Sequence, residues 1–190
     1  MAPRAQKKEE TRADILQSAM RGFRSRGYGG LGVDGLAKEA GVTSGAFYAH
    51  FKSKAEAFRE AICVGMDDMR ASLARLRAQH GEGWRQVFRT FYLDERRRAD
   101  LSQSCTFQSL TGEVARADEE SRRAYETKLK DVLSVMDSPG DGAMRRPDAI
   151  ALLAMLSGGV SMARAVDSPE FANEIAAAIK DAAARLDRPH

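Results

Sequence analysis

The 190-residue chain has only two cysteines, five prolines and one tryptophan, and aromatic residues make up 7% of it. Each shortage excludes a class of protein. Cys63 and Cys105 stand forty-two positions apart with no CxxC, which fits reduced intracellular thiols and not a disulfide framework. Proline and glycine are too sparse for a low-complexity or collagen-like chain. No long apolar run is present either. The longest uncharged stretch, between Asp148 and Arg164, holds fifteen residues including Gly158 and Gly159, against the roughly 20 that a membrane span needs. It is expected to be a buried helix. The first ten residues carry Arg4, Lys7, Lys8, Glu9 and Glu10, so no secretory signal is expected and the chain is placed in the cytoplasm, away from membranes.

Signatures of catalysis are missing as well. His50, His80 and His190 share no metal-ligand spacing with one another or with the cysteines, and there is no HExxH. No glycine-rich phosphate loop, GxSxG elbow or paired-carboxylate signature occurs. These absences predict no catalytic residue, no metal and no cofactor.

What is present is a 43% hydrophobic, 30% charged composition, enough to bury a core without a disulfide or metal. Charge is uneven. Residues 1–60 hold eleven Lys or Arg against seven Asp or Glu, whereas residues 61–190 hold nineteen against twenty. A cationic first part joined to a near-neutral remainder points to a polyanion at one end and a different task at the other.

Helical spacing recurs from end to end and no period-2 stretch or hairpin turn interrupts it. The fold is expected to be all-α, with about nine helices. Ile15, Leu16, Ala19, Met20 and Phe23 form a stripe that stops at Gly27, and Val33, Leu36, Ala37 and Ala40 form a shorter one that stops at Gly41. A third helix is expected over 44–51. A long fourth helix from Ser53 or Lys54 carries Ala55, Phe58, Ile62, Met66, Met69, Leu73 and Leu76, and Gly81 and Gly83 separate it from a fifth that opens with Trp84, Val87, Phe88, Phe91 and Tyr92. One or two short helices fall between 101 and 114. Asp118 is placed to cap a seventh helix bearing Tyr125, Leu129, Val132, Leu133 and Met136. An eighth runs from Asp148 to about Val166. Ser168 and Pro169 open the last, whose buried stripe is expected to be Phe171, Ile175, Ala178, Ile179, Ala182 and Leu186.

The second and third helices are short, meet at Gly41-Val42-Thr43 and lie in the basic part of the chain, the arrangement of a helix-turn-helix. Phe47 and Phe51, four apart, are expected to face inward. Thr43, Ser44, Gly45, Ala46, Tyr48 and His50 are then left for DNA, because small residues allow close approach while hydroxyls, a phenol and an imidazole reach phosphates or base edges. Lys54, in the first turn of the fourth helix, is placed for a phosphate, together with that helix's own N–H groups.

From Thr11 to Glu60 the sequence resembles the TetR family of transcriptional regulators. The resemblance runs through Ala19-Met20-Arg21-Gly22-Phe23, Gly27-Tyr28, Leu36-Ala37-Lys38-Glu39-Ala40-Gly41-Val42 and Gly45-Ala46-Phe47-Tyr48-Ala49-His50-Phe51-Lys52-Ser53-Lys54. It implies a homodimer that binds a palindromic duplex operator and represses until a small-molecule inducer occupies the C-terminal part. Two positions depart from the family pattern. Gly32 stands where relatives often have a capping Thr or Ser, and Ala49 offers a methyl where many carry a long side chain, so base readout is expected to lean on Thr43, Ser44, Ala46 and Tyr48.

These readings divide the chain into a DNA-binding domain over 1–52, of which 1–10 is expected to be a flexible arm, and a ligand-binding, dimerising domain over 53–190, with the fourth helix linking them. Met66, Met69, Trp84, Phe88, Phe91, Tyr92, Cys105, Phe107, Tyr125, Met155 and Met162 are the candidates for an apolar ligand site, since Met and aromatic side chains make compliant pockets. The last two helices, with Gly158-Gly159 and alanine-rich faces, are expected to form the dimer. Two alternatives stay open: a regulator that senses oxidants or electrophiles through Cys105, and, from another class, a small helical enzyme or partner-binding bundle.

Overall fold

A computed structural model describes residues 2–187, with side chains from residue 5 onward. Arg4, counted above among the N-terminal charges, and His190, weighed above as a metal ligand, lie outside the described side chains. The described residues are helical throughout and contain no strand, as the sequence spacing predicts.

Two compact units make up the chain, the first formed by residues up to Gly65 with Leu101–Glu126 and the second by Met66–Asp100 with the residues from Thr127 onward. In the first unit α1 (Ala2–Arg26) begins at residue 2. The segment expected to be an arm is therefore the first part of a helix, where Gln6 donates to Glu10 one turn ahead. Gly27 closes α1 in the left-handed conformation at φ 72°. Next come α2 (Val33–Glu39) and α3 (Ser44–Tyr48), joined through Gly41 at φ 68°. α3 is shorter than expected, because after Tyr48 the chain turns so that the N–H groups of both His50 and Phe51 return to the Phe47 carbonyl. That turn carries Phe51 into the core. The first stretch of α4 (Lys54–His80) and α6 (Thr106–Val114) complete the packing.

The core of this unit holds Ile15, Met20, Phe23, Leu36, Phe47, Phe51, Phe58 and Ile62, all essentially inaccessible. Phe23 meets Phe58 edge-on at 5.2 Å, and Tyr28 tilts against Phe58 at 4.8 Å. α6 holds α1 at two points: the Arg24 guanidinium donates to Thr106 Oγ1 at 2.8 Å, and the Tyr28 N–H donates to the Glu113 carboxylate at 3.3 Å. Gly65 lets Thr106 come close, since a Cβ there would stand 1.9 Å from the Thr106 hydroxyl.

In the second unit α4 passes through a single 3-10 turn, Gly81–Gly83, straight into α5 (Trp84–Thr90). The two glycines were expected to separate two helices. Gly81 is in the left-handed region at φ 52°, and with α4 and α5 taken as one run across this turn the helices number about eight and not nine. α5 continues as one π-helical turn over Phe91–Glu95. The remaining helices are α7 (Glu119–Asp137), α8 (Arg146–Ala165) and α9 (Pro169–Ala184). Both expected caps are present: the Asp118 carboxylate accepts from the Ser121 N–H at 2.8 Å, and the Ser168 hydroxyl accepts from the Phe171 N–H at 3.1 Å.

α8 differs from the expectation. At 20 residues and mean hydropathy 1.2 it is long and apolar enough by length and composition to cross a membrane, because the helix extends beyond the uncharged run to Arg146 and Arg164. It is also only part buried. Leu152, Leu153, Leu156 and Val160 face the core, whereas Ile150 and Met162 are about half exposed, as is Phe171 of α9. Phe171 and Ala178 thus leave the stripe assigned to α9, where Ala172, Ile175, Ala176 and Ala183 are buried and Ile179 packs against them. Gly159 makes the α8–α9 contact close, where a Cβ would meet Ile179 at 2.9 Å.

Candidate DNA-binding surface and ligand-site residues

The short α3 has two kinds of side chain. Phe47 is completely buried and Tyr48, the next residue, is 55% exposed. The 100° step between neighbours on a helix explains the contrast: once Phe47 is committed to the core beside Phe51, at 5.5 Å, Tyr48 must turn outward. Thr43, Gly45 and Ala49 are exposed with it, and Ser44, Ala46 and His50 are half-exposed. Every residue assigned to DNA on α3 and its flanks is thus at least partly accessible.

Hydrogen bonds fix the two hydroxyls of this surface. Thr43 caps α3, its Oγ1 accepting from the Ala46 N–H at 3.1 Å. Ser44 Oγ donates to Asp34 Oδ1 of α2 at 2.5 Å. His50 Nδ1 is buried and has no hydrogen-bond partner within the chain. Asp34 was not singled out from the sequence; an acidic residue in the first turn of α2 reads as an ordinary dipole partner.

Lys54 starts α4 as expected, yet its ammonium sits over the Tyr28 ring at 4.3 Å. The α4 N-terminus is also partly occupied. Ser53 accepts from the Glu56 N–H at 3.1 Å, and the Glu56 carboxylate takes the Lys52 N–H at 2.5 Å, a variant of the capping box. Fewer N–H groups face outward than the sequence reading allowed.

The basic surplus is largely used within the unit. Arg12 pairs with Glu60 and lies over the Phe51 ring, Arg26 pairs with Glu39, and Arg21 donates to the Ser18 hydroxyl. Arg59 reaches Asp118 and Glu120. Lys7, Lys8, Lys38 and Lys52 stand exposed. Charge counting thus detects cations without telling scaffold from surface.

The ligand-site candidates are not brought together as one group. In the second unit Trp84, Phe88 and Tyr92 stack in a row with centroids 6.1 and 5.3 Å apart, and Met66 and Met69 are buried. Met155 is half-buried. Phe91 and Met162 stand on the surface and not in the interior, Phe91 beneath the Arg96 guanidinium at 5.3 Å. In the first unit Phe107 is buried, while Cys105 and Tyr125 are half-exposed. Burial holds the Tyr125 phenol above its ordinary pKa, against the effect of its 2.8 Å hydrogen bond with Thr111. Neither Cys63 nor Cys105 is in a disulfide. A cleft of about 580 Å³ in the second unit is bordered mainly by polar residues, among them Glu82, Arg85, Asp141, Arg145, Asp148 and Asp187. None of the expected apolar side chains lines it. Arg97 donates to the Leu93 carbonyl and to Asn173, which accounts for part of the Arg96–Arg98 run in the way that cations serve a helix end.

Comparison with known proteins picks out the segment that builds the α2–α3 surface. Residues 15–61 match the family model described as bacterial regulatory proteins, tetR family. The HTH-type transcriptional regulator AcrR of Shigella flexneri is 46% identical over 55 residues, which are 29% of this chain and 26% of AcrR; the chain thus matches about a quarter of that relative's length. Among solved structures, E. coli NemR in its reduced form superposes with a TM-score of 0.73 at 20% identity, covering 90% of this chain and 97% of NemR. A TetR-family transcriptional regulator from Agrobacterium tumefaciens gives 0.75 at 15% identity, covering 92% and 98%. At these identities the structural likeness is one of fold. The sequence match covers the second half of α1, α2, α3 and the start of α4, and in that segment the chain is similar to the tetR family of bacterial regulatory proteins.

Proposed function

We propose that this regulator represses transcription as a homodimer on a palindromic duplex operator and is released when a small molecule binds its C-terminal part. One observation carries the reading: α3 buries Phe47 and leaves Tyr48 outward among small and hydroxyl-bearing residues. Such a surface suits a major groove, where bulky side chains would hold the backbone away from base edges. Thr43, Ser44, Gly45, Ala46 and Tyr48 form the reading surface. His50, Lys52 and Lys54 contact phosphates, which requires Lys54 to leave or share the Tyr28 ring.

The dimer forms through α8 and α9, whose exposed Ile150, Met162 and Phe171 give an apolar face that a second copy would cover. Functionally the chain divides near residue 52, and α4 continues from Lys54 past Met66. A ligand that displaces the Met66 end of this helix moves Lys54 and the recognition surface with it. Two recognition helices must meet successive major grooves about 34 Å apart, so a small rotation in each copy ends simultaneous contact. The protein acts in the cytoplasm, where its operator is.

Selection of random duplexes at moderate salt tests this. An enriched inverted repeat is the expected result, and retention of unrelated sequences would leave only a charge-driven binder. A second reading, thiol sensing through Cys105, is favoured by the partial exposure of that thiol at the start of α6; the fold neighbour NemR is described in a reduced form. Thiol titration of the native protein decides it, and an unreactive Cys105 ends it.

A further inference from the structure

We propose that Asp34 and Ser44 together make one position of the operator selective for an amino group, favouring adenine or cytosine over guanine or thymine on the contacted strand. The inference rests on α3 reading DNA as above, and adds which hydrogen-bond polarity it reads at that point.

Proton supply sets the polarity of this pair. Ser44 Oγ lies 2.5 Å from Asp34 Oδ1, and an ionised carboxylate only accepts, so the hydroxyl must donate. A hydroxyl has a single proton. With that proton committed to Asp34, Ser44 meets any further partner with lone pairs alone, and the second Asp34 oxygen adds another acceptor. Thr43, one residue earlier, has the opposite polarity. Its Oγ1 accepts from the Ala46 N–H, which leaves its proton for a phosphate oxygen or a base acceptor. Two adjacent hydroxyls that sequence treats as equivalent are thus a donor and an acceptor.

Phosphate oxygens accept, so the Ser44–Asp34 pair does not hold the backbone and its charge is repelled by it. In the major groove the only donors on base edges are the N6 amino group of adenine and the N4 amino group of cytosine; guanine O6 and thymine O4 accept. An acceptor pair at this place therefore rejects keto bases. Asp34 is exposed and Ser44 half-exposed on the same surface as Tyr48, as such a contact requires.

Duplex selection on the wild type and on Asp34→Ala, Asp34→Asn and Ser44→Ala tests the proposal, with urea midpoints confirming that each variant is folded. Ser44→Ala identifies the contacted position as the one whose preference relaxes. The wild type is expected to hold adenine or cytosine there, discriminating by about tenfold. Asp34→Ala should erase that discrimination, because the freed hydroxyl then donates to O6 or O4 as readily as it accepts. Asp34→Asn, whose amide oxygen still takes the Ser44 proton, should keep most of it. If Asp34→Ala and Asp34→Asn both tighten binding to every sequence and leave each base preference unchanged, Asp34 acts only through its charge and the proposal fails. A keto base at the position that Ser44→Ala relaxes also overturns it. Absence of any enriched motif for the folded wild type rejects the DNA-reading role of α3 itself, a separate result.

Discussion

Two outward faces of this molecule are built on opposite terms. On α3 the apolar side chains, Phe47 and the following Phe51, are sealed in the core, and the accessible surface is small or hydroxyl-bearing apart from Tyr48. On α8 and α9 the core is also filled, yet Ile150, Met162 and Phe171 remain about half exposed. The first face presents small and hydroxyl-bearing groups to water. The second leaves apolar area that burial against a like surface would stabilise, at about 25 cal/mol per Å². An exposed face thus indicates its partner's chemistry by what it leaves uncovered.

The contrast within α3 can be broken most strongly at Phe47. Phe47→Ala removes a fully buried ring and should cost about 3–5 kcal/mol of stability, read from the urea midpoint. Ile150→Lys with Met162→Lys is next. Charging the α8 face should weaken self-association by about 2–4 kcal/mol and leave the fold intact, as sedimentation would show; an unchanged dimer places the interface elsewhere. Tyr48→Phe sharpens the comparison with Phe47. Loss of an outward hydroxyl should reduce operator affinity by about 0.5–1.5 kcal/mol with stability unchanged within about 0.5 kcal/mol.

Lys54 separates two roles by salt dependence. A phosphate contact predicts that Lys54→Ala lowers the slope of log affinity against log salt by about one; a residue that only covers the Tyr28 ring would leave the slope alone and cost about 0.5–1 kcal/mol of stability. The smallest effect is at Asp118. The Ser121 N–H, then the Ser121 hydroxyl and Arg59, hold its carboxyl below the ordinary range despite desolvation. A depressed carboxyl contributes stability that is complete above its unfolded value of about 3.9 and is lost as pH falls through the lower folded value. Melting temperatures of the wild type should therefore fall in acid more steeply than those of Asp118→Asn.

The fold was largely legible because its signals are local. The 3.6 periodicity marks each helix, Gly27 and Gly41 mark left-handed turns, and Asp118 and Ser168 mark helix starts. The outward side of α3 was legible for the same reason, since burying Phe47 and Phe51 fixes where Tyr48 points. What stayed hidden depends on contacts far apart in sequence. Gly81 joins α4 to α5 through a 3-10 turn and not a loop, and Phe91 and Phe171 sit on apolar stripes whose outer edges the core does not reach. The Arg12–Glu60 and Arg59–Glu120 pairs convert apparent DNA-binding charge into scaffold. Asp34 is tied to Ser44, ten residues away. No residue pattern in the chain reports such a pairing.

The central claim is that the α3 surface reads sequence and does more than attract charge. Competitive titration of the folded protein with a selected duplex and a scrambled one, across a salt series, tests it most directly. The account predicts a preference for the selected duplex of about 1,000-fold or more that persists as salt weakens both complexes. Equal affinities at every salt concentration would contradict it.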